Sequence, residues 1–313
     1  MAKAKAINNV DCAGPALIGI KLVLLQRFEE MISFTQPALD DNDPEGIHAM
    51  RVASRRLRGC LRDFMPYLRH RGLVSSEREI KRIADVLGEV RDLDVAILAL
   101  EKLESQTPPA ISATVRKLID ARILSRGLAH EKLKKTLLTE ELNRFASQFE
   151  NALAATSVRR DSESASVGSS YKELARSVIL DRLAELEQAS ASVYAPLDSK
   201  PLHEMRIAAK RLRYAIELFQ QCFTKDPAPF AKMSSHLQTS LGEVHDCDAW
   251  VDSLGEELRK TKKGGELDHR EALSWLLGHF SNVRHRQFQN SLKLWRRWEK
   301  RDMGAKLREA IKS

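Results

Sequence analysis

Apolar residues recur along this chain at the three- and four-residue spacing of amphipathic helices, and strand-like alternation is nowhere sustained. In residues 47–64, for example, Met50, Leu57 and Phe64 fall on one stripe of a helix. Prolines divide the pattern, because proline starts or ends a helix more easily than it continues one. The sequence therefore predicts four helices in each half, over residues 16–36, 46–65, 76–105, 109–150, 171–194, 201–223, 229–262 and 266–311.

The two halves of the chain repeat one sequence. Residues 47–64, IHAMRVASRRLRGCLRDF, correspond to residues 202–219, LHEMRIAAKRLRYAIELF, at an offset of 155. The segment LGEVRDLD at 87–94 corresponds to LGEVHDCD at 241–248, at an offset of 154. An offset that is kept over so long a stretch indicates an internal duplication.

A serine-rich segment that is poor in apolar residues, 156–170, separates the two copies and is typical of a linker. We therefore predict an all-α fold of two pseudo-symmetric four-helix bundles. The first bundle is expected to span residues 14–155 and the second residues 171–313.

The chain is basic, with a net charge of +8 and an isoelectric point of about 9.3. This balance favours an anionic partner such as nucleic acid, a phosphate polymer or an acidic membrane surface. No apolar run approaches the length of a membrane span, and the start of the chain does not resemble a signal peptide. We expect a cytoplasmic protein with no membrane partner.

The charges of the second helix in each half gather on one face. At about 100° per residue, His48, Arg51, Arg55 and Arg58 lie together and apart from the core stripe. Like charges one turn apart repel each other, so such a face is costly unless an anion binds it. A solvated basic face is the alternative, but the second copy favours a binding site because it repeats the face with His203, Arg206, Lys210 and Arg213.

The third helix of each half carries a carboxylate on an apolar stripe. Asp94 shares its stripe with Leu87, Leu98 and Arg91, and the second copy repeats the arrangement with Leu241, His245 and Asp248. An unpaired buried carboxylate is costly. We therefore expect Asp94 and Asp248 to pair with arginines of the neighbouring second helix and to orient them, with a purely structural ion pair as the alternative.

Metal binding and nucleophilic catalysis are not favoured. Asp92 and Asp94 point about 200° apart on a helix, and arginines surround the candidate ligands His48 and His203. No serine or cysteine lies beside a histidine in helical register with an orienting acid, and no glycine-rich phosphate loop is present. The sequence predicts no metal, no cofactor and no catalytic residue.

The last predicted helix contains KLWRRWEKR at 293–301, which combines basic residues with Trp295 and Trp298. Such a mixture can stack on nucleic-acid bases. We favour the other interpretation, a capping helix with Trp295 or Trp298 in the core.

These motifs together resemble a known family. The pattern H-x-x-R-x-x-x-R/K-R-L-R, followed by L-G-x-x-R/H-D-x-D and repeated after a linker, is similar to the conserved histidine α-helical domain family, called CHAD, over about residues 16–300. The resemblance implies an all-helical domain that binds inorganic polyphosphate in a basic groove or pore, often on polyphosphate granules. Carried over by position, the binding residues would be His48, Arg51, Arg55, Arg58, Arg91, His203, Arg206, Lys210, Arg213 and His245.

Lys21 and Arg176, which correspond in the first helix of each half, complete the predicted binding set. The leading hypothesis is a non-enzymatic protein that binds inorganic polyphosphate, with other polyanions as further partners. A nucleic-acid-binding protein is one alternative. A phosphohydrolase that uses its histidines as phosphoacceptors is the other.

Overall fold

The computed structural model describes residues 5–41, 43–69, 71–158, 170–260 and 267–312. Most of the predicted linker therefore lies outside the described residues. The fold is all-α, as predicted. Its helices are α1 (Ala16–Ile32), α2 (Thr35–Leu39), α3 (Pro44–Phe64), α4 (Arg71–Glu104), α5 (Pro109–Thr136), α6 (Thr139–Ala154), α7 (Tyr171–Ala189), α8 (Ser199–Phe219), α9 (Ala228–Lys260), α10 (Leu267–Lys300) and α11 (Met303–Ala310).

Two short strands, β1 (Leu68–Arg69) and β2 (Ser157–Val158), pair antiparallel. None of the helices in the described part of the chain combines the length and apolar character that a bilayer crossing requires.

The last predicted helix of each half is divided in the structure. In the first half α5 ends at Thr136 and α6 begins at Thr139. In the second half the break falls at Asp302, whose φ of 48° lies in the left-handed region. Neither break contains a proline or a glycine, so the sequence offered no local signal for it.

Contacts divide the chain into two compact units. The first unit contains Met1–Thr107 and Val115–Leu174, and the second contains Pro108–Thr114 and Ala175–Ser313. This division differs from the predicted boundaries, because the start of α5 belongs with the second unit and α7 begins in the first. The predicted boundaries and the internal duplication stay predictions.

Helix α3 of the first unit shows why these residues become helical. Asp43 accepts hydrogen bonds from the amides of Glu45 and Gly46, and Pro44 occupies the first turn. The predicted core stripe of α3 is buried throughout, as is the matching stripe of α8 in the second unit. On α4, Leu87 is buried as expected, whereas Leu98 is 58% exposed and does not belong to the core.

A glutamate joins the first and second helices of the repeat in each unit, and it is buried in the first unit and partly exposed in the second. Glu30 lies between Arg27 Nη1, at 2.6 Å, and Arg56 Nη1, at 3.7 Å. Glu185 pairs in the same way with Arg182 and, at 3.2 Å, with Arg211. Pairing with arginine offsets part of the cost of burying the Glu30 carboxylate. These contacts fix α3 against α1 and α8 against α7, and so set which face of α3 and α8 remains available.

Candidate functional site

The basic face of α3 lies outside the core of the first unit. His48, Arg51, Arg55 and Arg58 are each partly exposed, while the residues between them on the other side of the helix are buried. The sequence placed these four side chains together, and the helix geometry confirms that they share a face.

Arg51 lies across the neighbouring helix α4. A Cβ atom added at Gly88 would lie 3.8 Å from Arg51 Nε, and Arg51 Nη2 donates a hydrogen bond of 3.0 Å to Asp92 Oδ1. The guanidinium therefore extends from the basic face of α3 to the part of α4 that contains Gly88 and Asp92.

The surroundings of His48 favour the neutral form of its ring. Its pKa is lowered below 6.5, first because burial penalises the charged ring and then because Arg91 of α4 and Arg55 of its own helix are positive, although Glu45 opposes this. Within the described residues, the buried Nδ1 atom of His48 has no hydrogen-bond partner. Residues of both helices thus form one cationic cluster, the first cluster, which contains His48, Arg51, Arg55 and Arg91.

The second unit builds a matching cluster from α8 and α9. His203 Nδ1 and His245 Nδ1 lie 3.2 Å apart, and a Cβ atom added at Gly242 would lie 3.4 Å from Arg206 Nε. Burial lowers the pKa of His203, and the charges of His245, Arg206 and Lys210 lower it further. This second cluster places His245 beside the histidine of α8, as the first cluster places Arg91 near the histidine of α3.

The prediction that Asp94 pairs with arginines of the second helix is wrong. Asp94 Oδ1 pairs with Arg126 Nε of α5 at 3.1 Å, and its Oδ2 lies 3.9 Å from Arg91 Nη1 on its own helix. Asp92, not Asp94, reaches the second helix of the repeat. Two carboxylates that point apart on one helix therefore serve two different neighbours.

Asp248 has the equivalent arrangement in the second unit. Arg284 of α10 pairs through Nε with Asp248 Oδ1 and donates through Nη2 to the carbonyl of Pro196, at 2.9 Å. In the first unit, Arg126 Nη1 likewise lies 3.7 Å from Asp41 Oδ1, in the segment before α3. Arg126 thus links α4 to the segment before α3, and Arg284 links α9 to the segment before α8.

Sequence reasoning missed Arg126 and Arg284. They correspond at an offset of 158, whereas the third-helix motifs correspond at 154, so the alignment of the two halves at a constant offset does not bring them together. A search for repeated arginines that allowed a length change between the third and fourth helices would have found them.

Arg213 differs from its counterpart Arg58. Only 4% of Arg213 is exposed, and it donates from Nη1 to Ser235 Oγ at 3.1 Å while its Nε lies 3.3 Å from Glu217 Oε1. Arg58 remains half-buried on the surface of α3. The structure therefore gives Arg213 a packing role that the sequence did not reveal.

Lys21 and Arg176 make contacts at the carboxyl ends of helices. Lys21 Nζ donates to the carbonyl of Ala154 at 2.8 Å, at the end of α6. Arg176 donates to the carbonyls of Ile311, at 2.8 Å, and Lys312, just after α11. A cation there satisfies carbonyls that have no helical partner. Neither residue is drawn into the clusters by these contacts.

Both tryptophans of the last basic segment are buried, Trp295 to 3% and Trp298 to 4% exposure. They are therefore core residues of the second unit, which confirms the favoured interpretation of this helix and leaves neither indole exposed to stack on bases. In the part of the chain that the structure describes, no group of three or more histidine, cysteine or acidic side chains is arranged to hold a metal ion.

The fold and these contacts define an all-α protein that carries one histidine- and arginine-rich cluster in each unit. The chain belongs to the CHAD domain family, whose model matches residues 22–255.

Solved structures share the fold. The crystal structure of the CHAD domain from the plant Ricinus communis is 20% identical, with a TM-score of 0.63 over 93% of this chain and 95% of that one. PptA from Streptomyces chartreusis is 16% identical, with a TM-score of 0.65 over 90% of this chain and 100% of that one. No curated protein matches the chain.

Proposed function

We propose that the protein binds inorganic polyphosphate through the first and second clusters and catalyses no reaction on it. The observation that carries the proposal is an arrangement found in both units. In each unit a histidine and an arginine of one helix lie near a basic residue of the next helix. In the first unit the positive charge of Arg91 lowers the pKa of His48. In the second unit the Nδ1 atoms of His245 and His203 lie 3.2 Å apart.

Membership of the CHAD domain family supports the choice of polyphosphate among polyanions. The electrostatics support it as well, because cations that lower the pKa of a neighbouring histidine are cations that an anion would stabilise. Arginine donates in a fixed fork that suits phosphate oxygens. The same binding would place the protein on polyphosphate granules in the cytoplasm.

The proposal is tested by removing one arginine from each cluster. Arg51→Ala and Arg206→Ala should each weaken the binding of long-chain polyphosphate by about tenfold, the order expected for a lost charge-assisted hydrogen bond. Arg82→Ala is the matched control, because Arg82 is also an arginine in an exposed ion pair, and its partner Glu79, at 2.6 Å, belongs to neither cluster.

Binding is measured by titration, with helicity and melting temperature recorded for each variant. A parent protein that does not bind polyphosphate would overturn the proposal. So would an Arg51→Ala variant that binds as tightly as Arg82→Ala.

Release of inorganic phosphate from the polymer separates binding from hydrolysis. The proposal expects none above the uncatalysed rate. A competition experiment decides between polyphosphate and single-stranded nucleic acid as the ligand. Polyphosphate should displace bound nucleic acid, because the buried tryptophans offer no surface on which bases can stack.

A further inference from the structure

One exposed carboxylate contacts an arginine of the first cluster. Asp92 Oδ1 accepts from Arg51 Nη2 at 3.0 Å, and the side chain of Asp92 is 72% exposed while that of Arg51 is 32% exposed. The neighbouring Asp94 differs, because it is buried and paired with Arg126. Asp92 thus makes a surface contact, and Asp94 makes a structural one.

An exposed ion pair of this kind is weak, because both charges are well solvated and the pair is screened by salt. It nevertheless occupies an N–H donor of Arg51 that is then not available to a phosphate oxygen. A bound phosphate would also be repelled by the Asp92 carboxylate at this distance.

We propose that Asp92 is a tethered competitor that occupies Arg51 in the free protein and must be displaced when a phosphate chain binds. This inference rests on the proposed function of the cluster. Asp92 therefore sets the affinity of the first cluster, lowering it for every phosphate ligand. A polymer tolerates the loss because its other contacts hold it near the site.

The opposite role for Asp92 would be to position Arg51 for the ligand. The two roles predict opposite effects of neutralising the carboxylate, because a competitor weakens binding and a positioning residue strengthens it. The sign of the change in affinity is therefore decisive.

The test compares Asp92→Asn with Glu89→Gln. Glu89 lies one turn earlier on α4, is also exposed, and pairs at 2.7 Å with Lys132 of α5 instead of with the cluster. Both variants remove one negative charge from the same helix. Affinity is measured for long-chain polyphosphate and for tripolyphosphate at low and moderate salt.

Asp92→Asn should tighten the binding of both probes by about two- to fivefold more than Glu89→Gln does, which is the range expected for an exposed ion pair. The difference should shrink as salt is raised. It should also be smaller in an Arg51→Ala background, because the competitor acts through Arg51.

An Asp92→Asn variant that binds no more tightly than Glu89→Gln, or more weakly than the parent, overturns the inference while the proposed function stands. A gain that is unchanged in the Arg51→Ala background also overturns it, since the effect would then be general repulsion. If the parent binds neither probe, the proposed function fails and the inference fails with it.

Discussion

Single residues set the charge of the two clusters, and the clusters differ at two positions of the repeat. Lys210 corresponds to Arg55 and keeps its positive charge, so the second difference matters more. Arg91 stands where the second copy has His245, and His245 approaches His203 through the Nδ1 atoms. Two imidazoles at this distance repel each other when both are protonated. The charge at this position therefore depends on pH in the second cluster, whereas Arg91 keeps its charge in the first.

Polyphosphate binding should tighten as the pH is lowered from about 8 to about 6. A bound anion favours protonated His48 and His203, so it raises the pKa that burial and neighbouring cations depress in the free protein. The check is affinity against pH, for the parent and for His48→Gln and His203→Gln. A flat profile in a protein that stays folded would show that the histidines are structural.

The same depressed pKa values affect the stability of the free protein. The unfolded chain binds more protons than the folded one below the ordinary histidine pKa of 6.5, because the folded pKa of His48 and His203 is lower. Their contribution to the free energy of unfolding is therefore complete above that pH. This contribution decreases as the pH falls below 6.5 towards the pKa values of the two histidines in the folded protein. Bound polyphosphate should offset the decrease.

At the scale of helices, Arg126 and Arg284 link the third helix of the repeat to the segment before the basic helix. Arg126→Gln leaves Asp94 buried without its main partner, and should lower the free energy of unfolding by on the order of 2–3 kcal/mol. Arg116→Gln should cost less than about 1 kcal/mol, because Arg116 is a well-exposed partner of Glu104.

Denaturant unfolding gives the free energy of unfolding of both variants. The double variant Asp94→Asn, Arg126→Gln should recover part of the stability that Arg126→Gln loses. Equal stability of Arg126→Gln and the parent would show that this ion pair contributes nothing to folding.

The sequence predicted the order of the helices and the basic faces of α3 and α8, because helical periodicity alone determines which residues share a face. It did not predict the partners of Asp94 and Asp248, since the neighbour that each acid meets depends on how the helices pack. It did separate Arg55 from Arg56, because one residue turns a helix by about 100° and takes Arg56 off the predicted basic face. The first joins the cluster and the second binds Glu30, although they are adjacent and chemically identical.

At the scale of the whole molecule, the net charge is +8 and each unit carries a cationic cluster, so the proposed binding of polyphosphate should release counterions. The logarithm of affinity should fall linearly with the logarithm of salt concentration. The slope should be about −0.7 for each contacted phosphate, taking single-stranded nucleic acid as the guide. Titrations at several salt concentrations give the slope, and Arg51→Ala and Arg206→Ala should each reduce its magnitude. An affinity that did not change with salt would contradict an electrostatic interface.

The burial of Trp295 and Trp298 has a consequence for spectroscopy. All the tryptophans of the chain, Trp250, Trp275, Trp295 and Trp298, belong to the second unit. Indole emission therefore reports the melting of that unit alone, whereas circular dichroism follows the helices of both. If the first unit melts earlier, the dichroism signal will begin to fall while the emission spectrum is unchanged, so the two units can be followed separately in the intact protein without any label.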